Sequence, residues 1–357
     1  MAWIRGHAPR ERGVGVNERP LRIVGAPGSP YSRKLRGVLR YRRIPYLWIM
    51  RGSREARGLP KPRVELLPQL ILPGKEGRLE ALVDSTPLLR LLETLQPGRS
   101  VIPPDPVLAF LDALIEDYAD EWLTKAMFHY RWSYPADIAK AAKILPRWSR
   151  TDQPEAQAMA QGRAFAERQI ARLTVVGSSP TTGPVIEESY RRLLLLLDAH
   201  LEGARFVLGG RPGAADFGLF GQLTQLATFD PTPAAIALEI APRVVAWVDT
   251  MDDLSGHEPR DDDWGSRDPI PLSLRALLVE VGRVYAPFLI ANAEAVARGA
   301  SRVECIIDGR AWIQAPFPYQ AKCLGWLRAA HAEMAPAHRV AVDGLLRGTG
   351  CECLFEG

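Results

Sequence analysis

Leu21-Arg-Ile-Val-Gly-Ala-Pro-Gly-Ser29-Pro30-Tyr31-Ser32-Arg33-Lys34-Leu35-Arg36, running on to Tyr46-Leu-Trp-Ile-Met50, decides the fold of this chain. An apolar run enters a Pro/Gly/Ser turn, a helical pattern starts at once, and a second apolar run follows, which reads as β-α-β. Pro30 suits the first helical position because it has no N–H to lose. A helix start presents unpaired backbone N–H groups and about half a positive charge, so it stabilises an anion held against it. Ser29 and Ser32 flank that start. Each can cap the helix, and each can donate a hydrogen bond to a bound thiolate and so lower the pKa of the ligand's thiol. The residues alone leave open both roles and the choice between the two serines.

Downstream, Leu66-Leu67-Pro68-Gln69-Leu70-Ile71-Leu72 is a strand entered through a proline. A polar turn follows at Gly74 to Gly77, then a second strand at Arg78 to Val83. Asp84-Ser85-Thr86-Pro87 opens a leucine-rich helix, with Thr86 expected as N-cap and Pro87 at the first helical position. The order is β-α-β, a connection, then β-β-α.

Ser29-Pro30-Tyr31-Ser32 stands where thioredoxin-like redox proteins carry Cys-Pro-Tyr-Cys, with serine at both cysteine positions. Together with Leu67-Pro68 and Asp84-Ser85 it makes the segment resemble the N-terminal domain of the glutathione S-transferases. The resemblance implies a cis bond before Pro68, a backbone pairing of Leu67 with the cysteine of glutathione, and an Asp84-Ser85 pair that holds the γ-glutamyl end. Asp84 can pair with the ammonium, and Ser85 with the helix-start N–H groups can hold the neighbouring carboxylate. Ser29 is then the expected activator of the glutathione thiol, with Ser32 as its backup. Without a motif cysteine, exchange through an enzyme–glutathione disulfide is not expected.

Phe206-Val-Leu-Gly-Gly-Arg-Pro-Gly213-Ala-Ala-Asp216-Phe217 resembles the loop and capping box of the all-helical domain of these transferases. Gly213 stands where serine or threonine normally caps, and Asp216 reads as a structural cap. Val107 to Trp132 is helical throughout and should open that domain. By the resemblance Tyr118, Trp122 and Phe128, with Tyr130 and Trp132 beyond them, are candidates for an apolar substrate pocket, although the same residues can be core. Glu116, Asp117, Asp120 and Glu121 crowd six positions, but no His or Cys at ligand spacing joins them, so a solvated or arginine-paired face is expected and no metal. Further helical patterns cover roughly 136–147, 154–173, 184–203, 214–229 and 241–252.

The 357 residues, 47% of them apolar, supply more than one core. The organisation expected is a flexible extension over residues 1–20, a thioredoxin-like glutathione-binding domain over 21–98, a helical transferase domain over 104–255, and an α+β extension of unassigned role over 270–357. In that last part a helix (Leu274 to Arg298) precedes a hairpin turned at Asp308-Gly309, and a further helix opens after Pro316. Tyr319, Lys322 and Trp326 are its most distinctive polar or aromatic residues. All four cysteines, Cys305, Cys323, Cys351 and Cys353, lie there without zinc-type spacing.

Residues 1–57 hold thirteen arginines and Lys34 against Glu11, Glu18 and Glu55, a net charge of +11, so the remainder carries −7 of the whole +4. Arg33, Arg36 and Arg40 share a face of the first helix and are expected to be solvated; no nucleic-acid motif accompanies them. No apolar run is long enough to span a bilayer and no secretory signal is visible, so a cytoplasmic location is expected. The reading is an enzyme that conjugates glutathione, its co-substrate, to a small hydrophobic electrophile, and a homodimer as the family usually is, with no nucleic-acid or membrane partner. A non-catalytic ligand-binding or protein-interaction scaffold is the alternative.

Overall fold

The computed structural model describes residues 20–74 and 77–356, so the expected flexible extension lies, apart from Pro20, outside the described residues. A four-stranded sheet of order β2-β1-β3-β4 opens the chain, formed by β1 (Leu21–Gly25), β2 (Tyr46–Met50), β3 (Gln69–Pro73) and β4 (Leu79–Val83). β1 pairs with β2 in parallel, as a β-α-β unit allows, and with β3 antiparallel, while β3 and β4 form an antiparallel pair. Alternation along β1 sends Leu21 and Ile23 to one face and Val24 to the other. The first face packs on Leu35, Val38 and Leu39 of α1 (Pro30–Tyr41) and on Leu88, Leu89 and Leu92 of α2 (Ser85–Leu95). Val24 packs with Ile49 and Ile71.

α2 starts one residue before its expected cap. Asp84 takes the N-cap position, and Pro87 sits in the first turn, where its missing N–H costs nothing.

The helical domain comprises α3 (Pro106–Tyr118), α4 (Thr124–Ser133), α5 (Pro135–Ile144), α6 (Glu155–Ile170), α7 (Gly183–Gly203), α8 (Ala214–Leu223), α9 (Pro231–Ile240) and α10 (Pro242–Met251). Wide π-helical turns at Ala119–Leu123 and Thr224–Phe229 extend α3 and α8. α8 lies along α1, close enough that a Cβ on Gly221 would stand 2.5 Å from the carbonyl oxygen of Pro30.

The cap of α8 is built from two aspartates. Asp216 accepts from the N–H groups of Gly213 (2.8 Å) and Val207 (2.9 Å). Gly213 has no side chain to cap the helix, and Asp112 from α3 substitutes for it, accepting from Ala214 N (3.1 Å) and Ala215 N (3.0 Å). A Cβ at residue 213 would stand 2.3 Å from Asp112 Oδ1, so a side chain there would have to displace the carboxylate that caps the helix.

The acidic face of α3 is buried rather than solvated. Lys34 of α1 lies between Glu116 (2.6 Å) and Asp120, with the Thr86 hydroxyl 2.9 Å from its ammonium, and Arg90 pairs with Glu116 at 2.7 Å. These ions tie α1 and α2 to α3. Burial alone would lower the Lys34 pKa, but the two carboxylates hold it above its usual value. The expected solvated arginine face is also partnered: Arg33, Arg36 and Arg40 all reach the single carboxylate of Asp252.

Beyond residue 270 the chain adds α11 (Leu272–Glu280), a π-helical turn at Val281–Tyr285, α12 (Ala286–Ala297), the hairpin β5 (Val303–Ile307) and β6 (Arg310–Gln314), α13 (Pro318–Ala332) and α14 (Pro336–Leu346). Asp308 and Gly309 both have positive φ, the geometry of a tight hairpin turn. This part shares one core with the helical domain, for Trp122 packs on Trp312 (5.1 Å between ring centroids) and Phe288 (5.9 Å), and Tyr118 lies edge-on to Tyr285. All four cysteines are free thiols.

Candidate active site

Strand register brings the three motifs to one end of the sheet. Val24 pairs with Gln69, and Gln69 with Val83. The chain segments leaving that edge are therefore the 26–29 loop, Leu67-Pro68 and Asp84. The Leu67-Pro68 bond is cis.

Ser29 caps α1: its Oγ accepts from Ser32 N at 3.2 Å, and Pro30 occupies the first turn. It is half-buried, with its hydroxyl at the positive end of the helix. Ser32 is 0% exposed, and its Oγ accepts from Ala26 N at 3.3 Å inside the turn. Ser32 is thereby directed inward, as part of the scaffold of the loop. Of the two serines only Ser29 remains accessible.

The loop before Ser29 is clamped by the helical domain. Arg131 donates to Gly28 O (3.0 Å) while paired with Asp230 and Gln225, and Gln225 donates to Pro27 O (3.0 Å). A Cβ at Gly28 would meet Trp148 at 2.6 Å and Leu145 at 2.7 Å, so the short helical turn Leu145–Trp148 lies directly against the backbone beside Ser29. Trp148 in turn packs on Phe229 at 5.2 Å. None of these residues announces itself in the sequence, because each acts through a contact with a distant part of the chain.

At the other side of the site, Asp84 is the N-cap residue of α2, with φ 81°. Its Oδ2 accepts a hydrogen bond from the Tyr319 hydroxyl at 2.6 Å. Burial raises the Asp84 pKa, opposed by this hydrogen bond and by the charge of Lys34. Ser85 is buried beside it.

The aromatic candidates for a substrate pocket are dispersed. Tyr118 and Trp122 are 2% and 1% exposed and belong to the core shared with residues 272–354. Trp122 spends its indole N–H on Ser189 Oγ at 3.1 Å. Phe128 is half-buried in a separate cluster with Trp132 and Phe165. The resemblance that suggested them points to a helix and not to which of its side chains face the site, and aromatic residues along a helix are as much the mark of a core. Among the described residues no group of three or more His, Cys, Asp or Glu side chains is placed to hold a metal ion.

Two family models match the chain: glutathione S-transferase, N-terminal domain, over residues 23–100, and glutathione S-transferase, C-terminal domain, over residues 156–250. Residues 23–100 and 156–250 belong to the glutathione S-transferase family. The fold of the chain is the transferase fold, a thioredoxin-like domain followed by a helical one, with a C-terminal extension that adds a small second sheet. No curated protein matches it. Solved structures give loose likenesses. A GST-like protein from Pseudomonas syringae is 17% identical over 65% of this chain and 66% of that one, with a TM-score of 0.38. A glutathione S-transferase of Methylobacterium radiotolerans in complex with glutathione sulfonate is 20% identical over 69% and 95%, at 0.39. A maleylacetoacetate isomerase of Anaeromyxobacter dehalogenans is 19% identical over 67% and 98%, at 0.34. Among the described residues no helix is long and apolar enough to cross a membrane.

Proposed function

We propose that this protein binds glutathione at the end of the sheet formed by Ser29, Leu67-Pro68 and Ser85 at the start of α2, and that Ser29 stabilises the glutathione thiolate for attack on a partly apolar electrophile. The observation that carries the proposal is the accessible Ser29 hydroxyl at the N-terminus of α1, on the end of the sheet to which strand register also brings Leu67-Pro68. A thiolate at that place receives a hydrogen bond from Ser29 and the favourable potential of the helix end. Leu67 offers backbone groups to the cysteinyl residue, and the N–H groups at the start of α2 suit the γ-glutamyl carboxylate. Trp148 and Leu145 give the thiol an apolar wall, which fits an apolar acceptor better than the buried Tyr118 and Trp122 do.

In the reaction the thiol proton leaves to solvent, the sulfur forms a bond to carbon, and the displaced electron pair departs with a leaving group or enters a conjugated acceptor. Holding the thiolate in place next to the acceptor is the main contribution of the protein. The enzyme would work in solution as a homodimer, as the family usually does, and use no metal. A glutathione-binding protein without turnover is the second reading, favoured by the burial of two of the three expected pocket aromatics.

The test is an ultraviolet titration of the thiolate of bound glutathione, with calorimetry to establish binding. Wild-type protein is expected to depress the thiol pKa below its usual range of about 8.5. Ser29→Ala is expected to raise it again with affinity little changed. Absence of binding by the wild type would overturn the proposal; binding with an unchanged thiol pKa in Ser29→Ala would overturn the role of Ser29.

A further inference from the structure

The hydrogen bond between Tyr319 and Asp84 joins the extension to the proposed ligand site across 235 positions of sequence. It is made by an anchored group. The turn before α13 is held to α12 by two bonds, Asn292 Nδ2 to Phe317 O (2.9 Å) and Phe317 N to Asn292 Oδ1 (2.8 Å). One residue on, Gln320 donates to Glu121 O at 3.1 Å, and the Tyr319 ring packs edge-on to Trp326 at 5.8 Å. Burial and the neighbouring Asp84 charge keep the phenol protonated, so Tyr319 is the donor and Asp84 the acceptor.

The position that Tyr319 fills is the one a ligand's α-ammonium would claim. A carboxylate oxygen that already accepts a short hydrogen bond from a fixed phenol has less to offer a second donor, and removing the phenol would disturb the packing of α13. We infer that Tyr319 sets the amino-end selectivity of the site, its hydroxyl replacing a ligand's α-ammonium on Asp84, so that a γ-glutamyl thiol is recognised with little dependence on that ammonium. This rests on the glutathione reading above. It gives residues 318–332 a part in ligand choice, and it makes γ-glutamyl-type thiols with a blocked or missing amino group acceptable ligands.

The experiment is calorimetry of the full chain with two probes: glutathione, and the analogue in which hydrogen replaces the α-ammonium. In the wild type the two affinities are expected to lie within about threefold, since neither uses Asp84 strongly. Tyr319→Phe keeps the ring and is expected to tighten glutathione about tenfold while leaving the analogue unchanged. Asp84→Asn, which preserves shape and still accepts the Tyr319 hydrogen bond, is expected to change glutathione binding by less than about threefold. A wild type that prefers glutathione tenfold or more, and keeps that preference in Tyr319→Phe, would overturn the inference and leave the glutathione site standing. So would a tenfold loss in Asp84→Asn, which serves as the decisive variant should Tyr319→Phe unfold. Absence of binding for both probes in every variant would remove the glutathione reading itself, and this inference with it.

Discussion

At the scale of single residues, the cap of α8 shows a role moving between positions. The family's capping hydroxyl is missing at Gly213, and Asp112 of α3 provides the acceptor while occupying the space a side chain would need. Gly213→Ser should therefore destabilise the protein, by about 1–3 kcal/mol in urea unfolding, because it forces a side chain into filled space. Combined with Asp112→Ala, which empties that space, the same substitution should cost clearly less than the two single changes added together. The departure at Gly213 was legible in the sequence, and Asp216 accepts from Gly213 N and Val207 N. The compensation by Asp112 was not legible, because the residue sits in another helix and looks there like one more acidic side chain. The same holds for Ser32, whose inward turn depends on the backbone of Ala26 rather than on its own identity.

Among the elements, the hairpin β5-β6 and α13 carry the least expected packing. Asp308-Gly309 was a readable turn, and the helix after residue 272 was readable from its periodicity. α9 was not, since Pro231 and Pro233 look like breakers although both lie in its first turn, where proline is tolerated. Nor did any pattern say that Trp312 would lie against Trp122 or Phe288 against both. Trp312→Ala should cost about 3–5 kcal/mol, as for a large aromatic removed from a filled core. Because that core is shared, thermal unfolding followed by tryptophan fluorescence and by circular dichroism should shift together; separate transitions would show that residues 272–354 fold as an independent body.

Over the whole molecule, the order of the three motifs was readable, and strand register places them at one sheet edge, but what closes that edge comes from distant parts of the chain. The clamp of Arg131, Asp230 and Gln225 and the contact from Tyr319 are products of tertiary folding alone. Burial also gives the molecule an unusual acid response. Asp117 and Asp216 are pushed up to about 7, and Asp112 and Glu121 to about 8, chiefly by desolvation. A carboxyl whose folded pKa exceeds its unfolded value contributes fully below the unfolded value, near 4, and loses that contribution as pH rises through 7–8. Lys125, lowered to about 7, penalises the folded state below about pH 10 and opposes the trend as pH rises from 7, and His200 and His257, both lowered by burial, oppose it below their usual value of about 6.5; the four carboxyls, each raised far above its usual value, outweigh them. The thermal midpoint should accordingly be higher at pH 5.5 than at pH 8.5; a midpoint that rises over that interval would contradict these assignments. The shared core has one more consequence, which concerns time. A ribosome delivers Tyr118 and Trp122 well before it delivers Tyr285, Phe288 and Trp312. During that interval the nascent transferase domain exposes a broad aromatic face, and it is then, rather than in the finished protein, that the chain is most exposed to aggregation and most in need of a chaperone.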